Sequence, residues 1–310
     1  MHCRKDLVMV RANTLRHALR HVEQQLTEAG IEEARREAEL LVCNVAQCSV
    51  LAVLLEPERE LSAAMQHQLS RLVHVRITER VPLQYLLGWV EFYGLRLRIT
   101  PAVLIPRPET EFLIARLVAA MRASMWQPHR ILDIGTGSGC IALALAKEFP
   151  GSRVIGWDRD EAALSLAEEN AQRLGIRNVS FEHVDVMQVA VLDGYYSLVV
   201  SNPPYIPRRD VPTLPPELHH EPLHALTDGA DGLTFYRHYS NHTQTLLDPR
   251  GIIALECNDG QATSIAALFD DMEVALGTDH RGIDRYVLAA WDRDHPVLRN
   301  FSLQEVRAAS

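Results

Sequence analysis

From residue 13 to about 80, apolar positions recur every three or four residues, as in Leu15, Leu19, Val22 and Leu26 and again in Leu61, Met65, Leu69 and Leu72. That period lines one face of successive amphipathic helices, so residues 1–82 are expected to form a small helical domain. The pattern then changes. GLRLRI alternates apolar and polar positions between Gly88, Gly94 and Pro101, which predicts a short β-ribbon linker over 83–108.

Beyond about residue 110, short apolar runs (RILDI, RVIGWD, VSFEHVD, YSLVVS) alternate with helical stretches such as EAALSLAEENAQRLG. Such alternation predicts a parallel sheet covered on both faces. GIIALEC, MEVALGT and RYVLAAW add three strands, and the loop 279–284 between the last two is too short for a helical crossover, so these two pair antiparallel. The expected fold class is α/β: a Rossmann-like seven-stranded sheet over 109–292 with its last strand antiparallel, followed by a C-terminal tail, 293–310, expected to be disordered.

Composition changes this picture little. A chain of 310 residues, 47% hydrophobic and 23% charged, is an ordinary globular protein with room for two domains. The net charge of -9 argues against nucleic-acid binding through a general excess of Lys and Arg. Cys3, Cys43, Cys48, Cys140 and Cys257 contain no CxxC pair and are odd in number, which fits a reduced, cytoplasmic setting. No stretch approaches the roughly 20 apolar residues of a membrane span. The start, MHCRKDLVMVRANTLRHALR, lacks the apolar core of a signal peptide; it is expected to be helical, with a weak organelle-targeting sequence as the alternative. His238 and His242, like His220 and His224, have no carboxylate or cysteine completing a ligand set, so no metal is expected. Glu32 to Glu39 is expected to be a helix face laced with ion pairs.

The first strand of the sheet runs into Asp133-Ile-Gly135-Thr136-Gly137-Ser138-Gly139, opening a helix. Glycines permit a tight turn and let a ligand approach backbone N–H groups. Gly137 to Ala142 also satisfies the dinucleotide pattern G-x-G-x-x-A, and the next strand ends at Asp158, the right distance to accept from ribose hydroxyls. An adenosine-containing cofactor is expected; Asp133 ahead of three alternating glycines resembles the first motif of the Rossmann-like methyltransferases, and that resemblance implies S-adenosylmethionine rather than NAD. Asp185, after the third strand, could face the adenine amino group or simply cap a loop.

The fourth strand stops at Asn202 and is followed by Pro203, Pro204 and Tyr205. The Asn202 side-chain oxygen and the Pro203 carbonyl are two acceptors held by proline-restricted backbone. Such a pair suits an NH2 group on an sp2 carbon, as in adenine, cytosine or a glutamine amide, with Tyr205 stacking on the planar group. Both N–H bonds would be oriented for attack on a methyl donor.

With these motifs the chain resembles the HemK (PrmC) type of protein-(glutamine-N5) methyltransferase, which acts on the Gly-Gly-Gln glutamine of class I peptide chain release factors. The resemblance also includes Gly88-Trp-Val-Glu91-Phe92, Ile105-Pro106-Arg107-Pro108-Glu109-Thr110-Glu111, Glu221-Pro222 and Asp231-Gly-Leu. It implies that Asp133, Gly135, Thr136, Gly137, Ser138, Gly139, Asp158, Asp185, Val186 and Asn202 hold S-adenosylmethionine. Asn202, Pro203, Pro204 and Tyr205, with Arg107 and Glu109, would hold the substrate, and Asn202, Pro203 and Tyr205 would serve catalysis. Arg107 and Glu109 could instead be structural. The helical domain would dock a release factor as partner, with no nucleic acid or membrane, and the enzyme would be a cytoplasmic monomer. One departure is visible: where the family has Glu-Ile-Gly before its glutamine, the chain reads Glu256-Cys257-Asn258-Asp259-Gly260-Gln261, a loop expected on the cofactor side. Alternatives are methylation of a ribosomal protein glutamine or of adenine in nucleic acid, and a non-catalytic cofactor-binding scaffold.

Overall fold

The computed structural model describes residues 14–189 and 194–308, so the expectation for the N-terminal 13 residues lies outside the described part. Two compact units divide the chain: residues up to Gly88 with Pro215–His220, and Trp89–Leu214 with Glu221 onward.

The first unit is helical: α1 Leu15–Glu28, α2 Ala34–Ala46, α3 Val50–Leu55, α4 Ala63–Thr78 and α5 Leu83–Leu87. Thr14, Ser49 and Ser62 cap α1, α3 and α4 by accepting from backbone N–H groups three residues on. Its core holds Leu15, Val22, Leu26, Leu41, Leu69 and Val73, the faces marked out by the three-to-four spacing. Arg35 pairs with Glu23 and Glu39 on the surface, as the charge run suggests. Glu37 does not share that surface role: its two carboxylate oxygens accept from buried Arg76 at 2.7 and 3.0 Å. Arg76 also reaches Glu217 at 3.0 Å, and His220 Nε2 meets the Glu79 carbonyl at 2.8 Å. These polar contacts, invisible to hydrophobic patterning, explain why 215–220 belong with the helices and interrupt the expected 109–292 span.

The ribbon is shorter than the expected 83–108. Residues 83–87 are the helix α5, closed by Gly88 in the left-handed region (φ 77°), and the strands are β1 Trp89–Phe92 and β2 Leu95–Arg98. After α6 (Pro108–Ala123) come β3 Arg130–Ile134, α7 Cys140–Glu148, β4 Arg153–Asp158, α8 Glu161–Leu174, β5 Val179–His183, β6 Tyr196–Ser201, β7 Leu247–Glu256, β8 Glu273–Thr278 and β9 Asp284–Ala290. They form one seven-stranded sheet of order β5-β4-β3-β6-β7-β9-β8, with β9 antiparallel to both neighbours and the expected Rossmann-like, seven-stranded methyltransferase architecture. The chain builds outward from β3 to β5 and then crosses back to place β6 beside β3, so strand order reverses there. Ligands in open α/β sheets bind beyond the strand ends at such a point.

The tail is not a loose end. Pro296–Ala308 is a helix whose Val297, Leu298 and Phe301 are buried in the core beneath the sheet, and Arg116 donates to the Phe301 carbonyl (2.9 Å) while its guanidinium lies 4.3 Å from the Phe301 ring. These three apolar residues, at i, i+1 and i+4, make a single cluster without a repeat, too short to announce this helix. Among the described residues no helix is long and apolar enough to cross a membrane.

Candidate active site

The turn after β3 takes its shape from backbone that only glycine adopts freely: Gly135, Gly137 and Gly139 have φ of 76°, 53° and 82°. The N–H groups of Gly135 and Thr136 donate to the Trp157 carbonyl at 2.8 and 2.9 Å, fastening the turn to β4. Asp133 is wholly buried; its Oδ2 accepts from the Thr136 hydroxyl (2.7 Å) and the Ala142 N–H (3.1 Å), joining strand end to helix start. Burial pushes its carboxyl up to about 7, against the pull of those two hydrogen bonds.

A cleft opens over this turn. Its walls include Gly135, Gly137 and Asp158 from the turn and β4, Asp185 and Val186 after β5, and Asn202, Pro203 and Pro204 after β6. The expected cofactor residues therefore divide in two. Asp133, Thr136 and Ser138 are buried behind the cleft and support it, Gly139 packs against Ala167 and Leu143 outside its walls, and the remaining six line it. Asp158 accepts from the Gly137 N–H (2.8 Å) and the Asp160 N–H (3.0 Å), one bond to each oxygen, which leaves lone pairs for a ligand hydroxyl. Asp185 lines the cleft, and it caps its own loop by accepting from Met187 N–H and Gln188 Nε2.

Asn202 follows β6, whose Ser201 hydroxyl donates to the Ile134 carbonyl of β3 at 2.7 Å. The Asn202 Nδ2 donates to Thr110 Oγ1 (3.0 Å), whereas its Oδ1 is buried with no hydrogen-bond partner. A buried acceptor without a partner is costly, roughly 1–3 kcal/mol, and is rare away from functional sites.

Tyr205, expected to stack on a planar group, is not a wall of this cleft. Its ring packs against the core that contains Val199, Tyr236 and Leu255, and burial raises its hydroxyl pKa. Its main chain is held instead: the Tyr205 carbonyl accepts from Gln261 Nε2 at 3.0 Å, and Ile206 N–H donates to Leu226. The departing loop thus braces the Asn-Pro-Pro-Tyr segment, where the cofactor side was expected. Arg107 and Glu109 also stand outside the cleft walls. Arg107 pairs with buried Glu221 (2.5 Å), which also accepts from Ile105 N–H, and Glu109 lies 3.5 Å from Arg281. Both nonetheless act electrostatically on Tyr205 and Glu256.

Four residues outside the expected set matter here. Thr110 and Glu256 sit behind Asn202, Gly232 packs on the Tyr205 carbonyl, and His224 lines the cleft. Thr110, Gly232 and Glu256 lay within quoted motifs without a role being given to them, and His224 was weighed only as a metal ligand. Among the described residues no cluster of three or more His, Cys, Asp or Glu could hold a metal, and His242 Nδ1 is engaged by the His238 carbonyl at 2.8 Å.

Comparison with known proteins agrees with this geometry. Residues 17–88 match the PrmC N-terminal domain family and residues 128–299 a methyltransferase domain family. A release factor glutamine methyltransferase of Geobacter sulfurreducens is 38% identical over 280 residues, covering 88% of this chain and 95% of that protein. Its counterpart in Moorella thermoacetica is 38% identical over 291 residues, covering 89% and 98%. Among solved structures, the hMettl16 catalytic domain in complex with a 3'UTR hairpin shares the fold, with a TM-score of 0.53 at 13% identity over 77% of this chain and 85% of that one. With a strand-end glycine turn, an unpartnered acceptor at Asn202 and relatives aligned along most of its length, the chain belongs to the release factor glutamine methyltransferase family and is a methyltransferase.

Proposed function

We propose that this protein methylates the side-chain amide nitrogen (N5) of the glutamine in the Gly-Gly-Gln motif of class I release factors, with S-adenosylmethionine as donor. The observation that carries the reading is Asn202 Oδ1, buried and without a partner in a cleft bounded by the glycine turn. The cofactor fits the residues present: Gly135, Gly137 and Asp158 would hold its nucleoside part, with Asp185 and Val186 farther along the wall. When bound, it supplies a methyl group on a positively charged sulfur, already an excellent leaving group.

The protein's own part is positioning. Asn202 Oδ1 accepts one N–H of the substrate amide and the Pro203 carbonyl the other. A carboxamide nitrogen is a weak nucleophile because its lone pair is delocalised; two acceptors turn that lone pair toward the donor and stabilise the positive charge that develops on nitrogen. Tyr205 anchors the Asn-Pro-Pro-Tyr segment in the core, Arg107 and Glu109 act on it electrostatically, and the helical unit docks the release factor. The same reading places the enzyme in the cytoplasm, since its substrate works in translation.

Replacing Asn202 by Ala tests this. The variant keeps S-adenosylmethionine affinity within about threefold and loses transfer by about a hundredfold or more, as when one oxyanion donor is removed. Mass spectrometry of a release factor after incubation gives a one-methyl increment on the Gly-Gly-Gln glutamine with the unaltered protein. Labelling of ribosomal protein or DNA with none on the release factor would overturn the assignment.

A further inference from the structure

Three side chains far apart in sequence form one hydrogen-bonded line behind the cleft. The Thr110 hydroxyl, in the first turn of α6, donates to Glu256 Oε2 at the end of β7 (2.6 Å), and its oxygen accepts from Asn202 Nδ2 (3.0 Å). Thr110 and Glu256 are 2% and 1% exposed, so no water competes for these positions.

The direction of the line follows from the donor inventory. A hydroxyl carries one proton, and an ionised carboxylate can only accept. The Thr110 proton is therefore committed to Glu256, and only lone pairs remain for Asn202. Those lone pairs bind the NH2 end of the Asn202 amide and reject its oxygen. The amide is turned with Nδ2 inward, leaving Oδ1 for the cleft that Asn202 lines. The two ends of an amide are nearly identical in shape, so sterics alone would not choose between them. Flipped, Asn202 would present N–H donors to a substrate NH2, donor against donor.

Resting on the function proposed above, we infer that Thr110 and Glu256 are positioning residues for methyl transfer, which set the end of the Asn202 amide that meets the substrate. Neither touches the substrate.

The test uses the full-length protein with Thr110→Val, Thr110→Ser and Glu256→Gln. Valine removes the hydroxyl at nearly constant volume. It lowers kcat for a release factor by about tenfold, the rate equivalent of one hydrogen bond of ~1.4 kcal/mol, with KM and S-adenosylmethionine affinity within about twofold. Serine restores kcat to within about twofold. Glutamine at 256 can donate to Thr110 and free its proton for Asn202, so it also lowers kcat, and it carries the test if the valine variant does not fold. A separate measurement needs no substrate: by NMR, one Asn202 side-chain N–H exchanges slowly with solvent in the unaltered and Thr110→Ser proteins and quickly in Thr110→Val. Normal kcat in both Thr110→Val and Glu256→Gln, or rapid exchange in the unaltered protein, overturns the inference. Should the unaltered protein fail to methylate a release factor, the proposed substrate is wrong, and the exchange measurement still decides the positioning role.

Discussion

Gly232 lies against the carbonyl of Tyr205 so closely that a Cβ at 232 would stand 2.3 Å from that oxygen and 2.7 Å from Gln261 Nε2. The backbone there is left-handed, at φ 86°, and is held by Asp228, whose carboxylate accepts from the N–H groups of Ala230, Gly232 and Thr234. The loop after residue 226 is thus a brace, and it holds the Asn-Pro-Pro-Tyr segment from behind.

Gly232→Ala should therefore act on chemistry as well as on folding. The clash is with backbone, which cannot rotate away, so the segment shifts, and a misplacement on the order of 1 Å can cost about a hundredfold in rate. Expected are a lower kcat at saturating S-adenosylmethionine, little change in cofactor affinity, and a stability loss of about 1–3 kcal/mol. Calorimetric binding and urea unfolding on the same sample check this; unchanged turnover would show that the brace does not hold the site.

The Glu256 carboxyl is pushed up to about 7, chiefly by burial, with the Thr110 hydrogen bond opposing. Glu109 raises it further, and Arg285 and Arg107 pull it down; Tyr205, Tyr236, Tyr286 and Cys257 face it as neutral groups. Only the ionised form fixes the Asn202 amide, so transfer should fall as pH drops through about 7, and this step should vanish in Glu256→Gln. Stability moves the other way. Because the folded value exceeds the unfolded value of about 4.3, the stabilisation is complete below that value and lost as pH rises through about 7. Asp133, also raised to about 7, adds to the same trend. Rate and urea midpoint measured from pH 5.5 to 8.5 should therefore run in opposite directions; parallel curves would refute the assignment.

Phe301 has no exposed surface, and its ring meets Arg116 in a core shared with α6 and the sheet. Phe301→Ala should cost about 3–5 kcal/mol, the range for a large aromatic removed from a packed interior. Denaturant unfolding checks it, and a loss below about 1 kcal/mol would mean that the C-terminal helix is dispensable.

Much of this was legible in the sequence because it is local. Period and alternation located the N-terminal helical unit, the seven strands and the reversed β9 but not the C-terminal helix, and Gly135, Gly137 and Asp158 marked the cleft through spacing. Contacts across long separations were not legible. Thr110, Asn202 and Glu256 meet only because β6 and β7 are adjacent and α6 begins beside them. Arg76 draws Glu217 to the helical unit over 141 positions for the same reason. The position of the Tyr205 ring, away from the cleft walls, depends on side-chain direction, which a Pro-Pro-Tyr string does not reveal.

The reversal of strand order has one further consequence. Ile134 and Ser201 are partners in the parallel ladder, so the two chain ends that carry Gly135 and Asn202 leave the sheet one strand apart, about 4.8 Å. That gap is a property of main-chain pairing, and no surface substitution can widen or narrow it. Substitutions at the rim can remodel what the pocket admits, while Gly135 and Asn202 keep the same main-chain spacing.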